Sequence, residues 1–287
     1  MKPKNTLSHR NPEPENSVLY MVGTPIGNLD DISARAIKIL GSVSLIACED
    51  TRQTKKIINR FNISNKLISL NKYNSFKKIP TILDELKLGK SIALVSDAGM
   101  PGICDPGEDV VKAVKAEGFD VICIPGPCAA VTALVTSGMP SSSFVFLGFL
   151  PKKKSDREKT LLEISRNEKT TIIYESPHRL NKLLNELLIV CGGEREIHVT
   201  RELTKKFEEH IGDTILKVID FFQSKEIIGE ITIVVKGIVR KKNKDIDISN
   251  LKNDLHELIN AGLSLSSASK YLAKKNGISK GTIYNLN

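Results

Sequence analysis

The stretch "SDAGMPGICDPG", residues 96–107, decides how this chain is to be read. Five of its twelve residues are glycine or proline, and two carboxylates, Asp97 and Asp105, stand among them. Ahead of it runs "SIALV", a short and almost wholly apolar run of the kind found in strands buried on both faces. Behind it runs "EDVVKAVKAEG", with apolar residues at helical spacing. Strand, irregular loop and helix in that order make a βα unit. In a parallel sheet the loop of such a unit sits at the carboxyl end of the strand, where ligands bind.

Two other loops share this character: "VGTPIGN" (22–28) and "IPGPCAA" (124–130). Glycine lets the backbone itself approach a ligand, and proline fixes the loop before anything binds. A nucleotide phosphate is the usual guest, yet the chain has no GxxxxGK[ST] and no GxGxxG opening a helix. Asp97 would also repel a phosphate. A carboxylate among exposed backbone groups suits a ligand bearing ammonium, hydroxyl or adenine groups. The alternative is that Asp97 only caps the turn that follows it.

Outward from these loops the chain alternates strand-like and helix-like runs. Strands are predicted at "VLYMV" (18–22), "LIACE" (45–49), "IALVS" (92–96), "VICIP" (121–125) and "FVFLG" (144–148). Three more follow at "TIIYE" (171–175), "EIHVT" (196–200) and "EITIVVK" (230–236). Helices include "DDISARAIKIL" behind an aspartate cap, "REKTLLEI" and "PHRLNKLLNELLIV". This alternation predicts an α/β protein with largely parallel sheets. A break at "TSGMPSSS" (136–143) divides an α/β domain over 17–138 from a second over 139–238. Residues 1–16 read as a disordered tail and 239–250 as a charged linker. Residues 251–287 read as a helical unit, in which Ala273, Gly277 and Ile283 have helix-turn-helix spacing. A plain helical hairpin fits that last segment as well.

The 287 residues suggest about two domains, and with no tryptophan and 5% aromatics the cores must be aliphatic. The longest apolar run, "FVFLGFL" (144–150), falls far short of the roughly 20 residues a membrane span needs. With no apolar stretch near the N-terminus either, a cytoplasmic protein is expected. Cys48, Cys104, Cys123, Cys128 and Cys191 form no CxxC pair and have no histidine at ligand spacing, so reduced thiols and no metal are expected. The net charge of +9 favours a nucleic-acid partner, although richness in Lys, Asn and Ile together also fits a bias of coding composition.

Six stretches in order, "VGTPIGNLDDIS", "SDAGMPGICDPG", "PGPCAAVTAL", "SFVFLGFLP", "YESPHRL" and "TRELTKKFEE", resemble the tetrapyrrole methylase superfamily. The last two resemble the branch that methylates small-subunit ribosomal RNA. The resemblance covers residues 18 to about 238 and extends to the helical tail. It implies two α/β domains with S-adenosylmethionine in the cleft between them, commonly in a homodimer. It implies 2′-O-methylation of a cytidine in the decoding region of 16S rRNA, with the 30S subunit as partner. Carried onto this chain, it places Asp97, Ala98, Gly99 and Ile103 against the cofactor, with Cys128 and Ala129 of the PGP loop and Pro25 at the border. Met100, Cys104 and Cys128 stand where that branch usually has Thr, Ser and Ser, so any contact made by those hydroxyls is missing here.

A ribose hydroxyl is a poor nucleophile, so a base or a cation near it is expected. Candidates are Glu175, His178, Arg179, Arg201 and Glu202, all just past strands of the second domain. His178 has an alternative as a helix-start residue, and Glu175 with Arg201 as a mutual ion pair. Glu49, Asp50 and Arg52 read as a structural network. Lys152, Lys153 and Lys154, "RKKNK" at 240–244, and Lys270, Lys274, Lys275 and Lys280 are candidates for phosphate contacts, or else solvated faces. A tetrapyrrole C-methyltransferase and a non-catalytic RNA-binding protein of the same fold are the competing readings.

Overall fold

The computed structural model describes residues 13–239, 248–276 and 278–286. Most of the expected tail and linker, including "RKKNK", therefore lies outside the described residues. Residues at the end of the expected tail are tied down: Glu13 accepts from Arg35, and the Glu15 N–H donates to the Tyr20 hydroxyl at 2.8 Å. The chain divides into two compact units, up to Ile238 and from Val239.

In the first unit, β1 (Val18–Val22), β2 (Leu45–Cys48), β3 (Leu67–Ser69), β4 (Ile92–Val95) and β5 (Asp120–Ile124) form a parallel sheet in the order β3-β2-β4-β1-β5. The central strands β1, β2 and β4 read as unbroken apolar runs because both faces are covered, while the edge strands β3 and β5 are mostly half-buried, with Cys123 exposed. Along β1, Val18, Tyr20 and Val22 join a cluster with residues of helices α1 (Ala34–Ser42) and α2 (Thr51–Arg60). Leu19 and Met21 point the other way, to α3 (Ser75–Lys87) and α4 (Glu108–Ala116). Ser33, not an aspartate, caps α1, accepting from the Ala36 N–H at 3.1 Å. Asp30 and Asp31 are taken up in a 3-10 turn ahead of it.

The remaining strands build a second sheet: β6 (Phe144–Phe149), β7 (Thr170–Glu175), β8 (Glu196–Arg201), β9 (Glu209–Thr214) and β10 (Ile231–Val235), in the order β6-β7-β10-β8-β9. Here the expectation of largely parallel sheets fails. Only β6 and β7 run parallel, and the other three pairs are antiparallel. β8 turns back into β9 through a seven-residue connection, 202–208, which an antiparallel pair allows and a parallel crossover does not. β9, "EHIGDT", escapes a sequence reading because Ile211 is its one apolar residue and it lies at the sheet edge.

One face of this sheet is covered by α6 (Lys154–Arg166), α7 (Pro177–Cys191) and α8 (Ile215–Phe222). The other face receives α5 (Ala129–Ser137), which follows the last strand of the first sheet. Its Ala130, Ala133 and Leu134 pack with Ile172 and Val234 of β7 and β10 and with Ile26 from the loop after β1. That helix ties the two sheets together.

The second unit holds α9 (Ile248–Asn260), α10 (Leu265–Asn276) and α11 (Lys280–Tyr284) around Leu251, Leu255, Ala268, Leu272, Ala273 and Ile283. Ala273 and Ile283 are both buried, as a helix-turn-helix contact requires, and Gly277 lies outside the described residues. Among the described residues no helix is long and apolar enough to cross a membrane.

The loops after β1, β4 and β5 are stitched to one another at the carboxyl edge of the first sheet. Thr24 and Gly99 exchange backbone hydrogen bonds of 2.9 and 3.1 Å, and the Thr24 hydroxyl donates to the Ser96 carbonyl at 3.3 Å. Gly23 and Gly126 meet backbone to backbone: a Cβ on Gly126 would lie 2.8 Å from the Gly23 Cα. Neither atom belongs to a side chain that could swing away. Gly126→Ala should therefore cost about 1–3 kcal/mol of stability, read as a lowered midpoint in urea unfolding with an unchanged slope.

Candidate functional site

Between the two sheets of the first unit lies a cavity of about 490 Å³, within the range of small-molecule sites. The loop after β4 supplies Asp97, Ala98, Gly99, Met100, Ile103, Cys104 and Asp105. Ile26 comes from the loop after β1, Glu49 from the end of β2, and Cys128 and Ala129 from the start of α5. The second sheet closes it with Phe149, Tyr174 to Pro177, and Gly229 to Thr232. The site thus lies where the carboxyl ends of parallel strands open a crevice.

Its polar character is acidic. Glu49, Asp97 and Asp105 face the cavity, and no lysine, arginine or histidine among the described residues lines it. Burial pushes the Asp105 carboxyl up to about 6, with the nearby Asp97 charge adding to the rise. Burial also raises Asp97 and Glu49, each further raised by neighbouring carboxylates. Asp97 is held in place by the Asp50 N–H, which donates to it at 2.9 Å. Three carboxylates gathered around one hollow, with Asp97 raising both Asp105 and Glu49, favour a ligand that brings positive charge. The remaining walls are apolar, with Ile26, Ile103, Phe149 and Ile231. Tyr174 accepts from the Ala130 N–H at 3.1 Å and packs edge-on against Phe146 and Phe149, linking α5 to β6 and β7.

Gly148 shows how closely the halves approach. At a bulge of β6 it adopts φ of +59°, and a Cβ there would lie 2.7 Å from the Cys104 sulfur. The thiol of Cys104 occupies space that any other residue at 148 would claim.

Of the residues singled out by sequence, Asp97, Ala98, Gly99, Ile103, Cys128 and Ala129 converge on the cavity. Pro25 is buried, and its neighbour Ile26 is the lining residue instead. Glu175 reaches the rim, but its carboxylate is wholly buried and committed. One oxygen accepts from Arg179 at 2.7 Å and from the Ser176 N–H at 2.9 Å, and the other faces Arg157 at 3.4 Å. Arg157 is itself buried and also pairs with Glu186 at 2.7 Å. Arg201 does not pair with Glu175: the two flank Ile231 from opposite neighbours of β10, two strand spacings or roughly 10 Å apart. Arg201 binds Glu209 at 2.7 Å and the Ile228 carbonyl at 3.1 Å. Glu202 pairs with Lys205 at 2.8 Å. His178, at the second position of α7, lines a separate hollow with Asn181 and Lys225. Asp50 and Arg52 pair at 2.7 Å, while Glu49 leaves that network for the cavity.

Glu49, Asp105, Phe149 and Tyr174 are among the lining residues that sequence reasoning did not assign to the site, as are Ile26 and the stretch from Gly229 to Thr232. Glu49 and Asp105 had a signal, since both follow strands of the parallel sheet whose loops were already suspected. Lys152 and Lys153 are exposed between β6 and α6 and Lys154 at the start of α6, the last two near Asp156 and Glu158 at 3.6 and 4.0 Å. Lys274 and Lys275 end α10, with Lys275 3.7 Å from Asp254.

Residues 18–218 match the model of the family described as Tetrapyrrole (Corrin/Porphyrin) Methylases. A relative from Halalkalibacterium halodurans, named ribosomal RNA small subunit methyltransferase I, is 41% identical over all of this chain and 99% of its own. The chain belongs to the tetrapyrrole methylase family, in its ribosomal RNA small subunit methyltransferase I branch. A Vibrio cholerae protein of the same name is 42% identical over 93% of both chains. One from Thermotoga maritima is 44% identical over 76% of this chain and 98% of its own, so a shorter member of the branch exists. Among solved structures, a cobalt precorrin-4 methyltransferase of cobalamin biosynthesis superposes with a TM-score of 0.60 at 18% identity, covering 77% of this chain and 95% of that one. A uroporphyrin-III C-methyltransferase from Thermus thermophilus, complexed with S-adenosylhomocysteine, does so with a TM-score of 0.54 at 15% identity, over 75% and 96%. At such identities the likeness is one of fold.

Asp105 makes the acidity of this cavity measurable. Its proton is held more tightly in the folded than in the unfolded chain, so its contribution to stability is complete below about pH 4 and is lost as pH rises towards 6. Asp105→Asn should remove that loss, so its stability advantage over wild type should grow between pH 4 and 7. Urea unfolding at both pH values checks this.

Proposed function

We propose that this methyltransferase carries a methyl group from S-adenosylmethionine to the 2′-hydroxyl of a cytidine in the decoding region of 16S rRNA, on the small ribosomal subunit. The observation that carries the reading is a cavity walled by carboxylates and exposed backbone, free of basic side chains among the described residues, at the carboxyl edge of a parallel sheet. A cation that also has an apolar ring system fits that donor set. The S-adenosylhomocysteine complexed with the Thermus thermophilus enzyme and the names of the relatives support the same reading.

When bound, S-adenosylmethionine supplies a methyl group on a positively charged sulfur. The residues proposed to hold it are Asp97, Ala98, Gly99 and Ile103 of the loop after β4, with Cys128 and Ala129 at the start of α5. Asp105 and Glu49 add negative charge facing the cavity. Ala98, Gly99 and Ala129 act through backbone groups, which do not depend on side-chain identity. The Met, Cys and Cys at 100, 104 and 128 are therefore compatible with binding.

Transfer between two bound partners is largely a matter of alignment and exclusion of water. Phe149, Tyr174 and Ile231 shield the cavity from the side of the second sheet. Glu175 and Arg179 act as positioning residues: the Arg157–Glu175–Arg179 cluster fixes Ser176 and Pro177 on the rim. Arg201 and His178 stand outside the cavity and are given no contact with the reacting atoms. Lys152, Lys153 and Lys154 on the α/β unit and Lys274 and Lys275 on the helical unit are proposed to neutralise rRNA phosphates. A homodimer belongs to the proposal too. Val131 and Val135, 47% and 72% exposed on the outer side of α5, give it an apolar surface to use. The cytoplasm, where ribosomes are, is the proposed location.

Incubation with methyl-labelled S-adenosylmethionine and either 30S subunits or uroporphyrinogen tests the reaction. Label is expected at a cytidine ribose of 16S rRNA, and label in the tetrapyrrole would overturn the proposal. The cleft charge has its own test, independent of turnover. S-adenosylmethionine differs from S-adenosylhomocysteine by a methyl group and a positive charge. Calorimetry should show its affinity rising several-fold more than that of the neutral sulfide between pH 5 and 7, as Asp105 ionises.

A further inference from the structure

The segment "NKYNSFKK", residues 71–78, runs from the turn after β3 into the first turn of α3 and plays no part in the cavity. Tyr73 is 95% exposed and Phe76 80% exposed, more than any other aromatic side chain among the described residues. A single exposed apolar side chain is ordinary, but two aromatic rings three residues apart in the chain, both left in water, mark a candidate contact surface. Tyr73 is presented by a turn held from within, and Phe76 by the first turn of α3 that follows directly. The Asn71 side-chain oxygen accepts from the N–H groups of Tyr73 and Asn74 at 3.0 and 3.2 Å. The Asn74 side chain accepts from the Asn71 N–H at 2.8 Å and donates to the Ser69 carbonyl at 3.2 Å.

Charge surrounds the rings. Lys72, Lys77 and Lys78 flank them, no acidic residue occurs between 71 and 83, and among the described residues none of the three lysines has a carboxylate within ion-pair distance. Exposed rings set among unneutralised lysines are the surface that unpaired nucleic acid uses: bases stack on the rings and phosphates meet the ammonium groups. Lysine is depleted from the core of protein–protein interfaces, so rings set among three lysines favour nucleic acid over a protein partner.

Position completes the argument. Ser69 of β3 pairs with Cys48 of β2, and Cys48 with Val95 of β4. The turn therefore leaves the sheet on the same edge as Glu49 and Asp97, two strand spacings or roughly 10 Å from β4. The Ser69 hydroxyl donates to the Glu49 carbonyl at 3.3 Å, so the turn is fastened to a wall of the cavity.

We propose that the 71–78 turn is a stacking platform for an unpaired stretch of ribosomal RNA, with Tyr73 and Phe76 holding bases and Lys72, Lys77 and Lys78 holding phosphates beside the methyl-transfer cleft. This rests on the reading that RNA is the substrate. Two variants test it, Tyr73→Ala with Phe76→Ala and Lys72→Gln with Lys77→Gln and Lys78→Gln, alongside wild type. The probes are a fluorescent single-stranded RNA of about twelve nucleotides, 30S subunits and S-adenosylhomocysteine. The aromatic variant should bind the oligonucleotide roughly ten- to a hundredfold more weakly and raise the KM for 30S subunits, with kcat and S-adenosylhomocysteine affinity unchanged. The lysine variant should reduce the slope of log K against log salt by about 2. Wild-type RNA affinity and KM in both variants would overturn the platform while leaving the reaction standing. So would a variant that binds RNA normally but sediments as a smaller species, which would make the turn a subunit contact. Wild-type protein that binds S-adenosylhomocysteine but neither binds RNA nor labels it would overturn both readings.

Discussion

The backbone pairing of Thr24 with Gly99, and the contact of Gly23 with Gly126 beside it, is the constraint on which the rest of the first unit depends. Three loops leave neighbouring strands β4, β1 and β5, and each carries peptide groups that no strand partner satisfies. Those of the loops after β1 and β4 satisfy one another, and the Gly23 N–H is taken by the Ile124 carbonyl at the end of β5. The result is a rigid shelf at the edge of the sheet, with Asp97 and Asp105 on one loop and the start of α5 on another. Only glycine permits the approach at 23 and 126, so the shelf is written into chain chemistry and not into side-chain packing.

From that shelf α5 runs straight into the second half. Its Ala130, Ala133 and Leu134 pack on β7 and β10, and Ala130 is also held by the Tyr174 hydroxyl. The position of the second sheet over the cleft therefore follows from where the loop after β5 delivers the helix. Behind β7, Arg157 and Arg179 neutralise Glu175, which keeps the rim in one arrangement. Removing one partner of such a buried cluster leaves an uncompensated charge, which is why it holds its geometry firmly.

Charge is divided by place. A chain of net charge +9 puts no basic side chain of its described residues into the cavity and lines it with Glu49, Asp97 and Asp105. The excess lysine lies outside, on the turn at 71–78, after β6 and at the end of α10. An acidic hollow favours a small cation and a positive overall field favours a polyanion, which is the division that the proposed reaction requires. The family shares its fold with enzymes named for precorrin and uroporphyrin at 15–18% identity. Fold alone thus leaves the methyl acceptor open, and the acceptor is chosen by what surrounds the cleft.

By itself the sequence determined the α/β class, the positions of most strands and the loops that line the cavity. Strands buried on both faces must be continuously apolar, and loops that approach a ligand through backbone must be rich in glycine and proline. The three loops were legible for that reason, while Gly99 and Cys128 were assigned within them only through the family resemblance. Tertiary structure alone decided that β10 enters between β7 and β8 in the opposite sense, because a strand's apolar run is the same in either direction. It also decided that the polar "EHIGDT" forms an edge strand, that Glu175 answers to Arg157 and Arg179 and not to Arg201, and that Glu49 and Asp105 share one hollow with Asp97. Most of these join residues far apart in the chain, and no local pattern encodes which distant charge will stand beside a carboxylate.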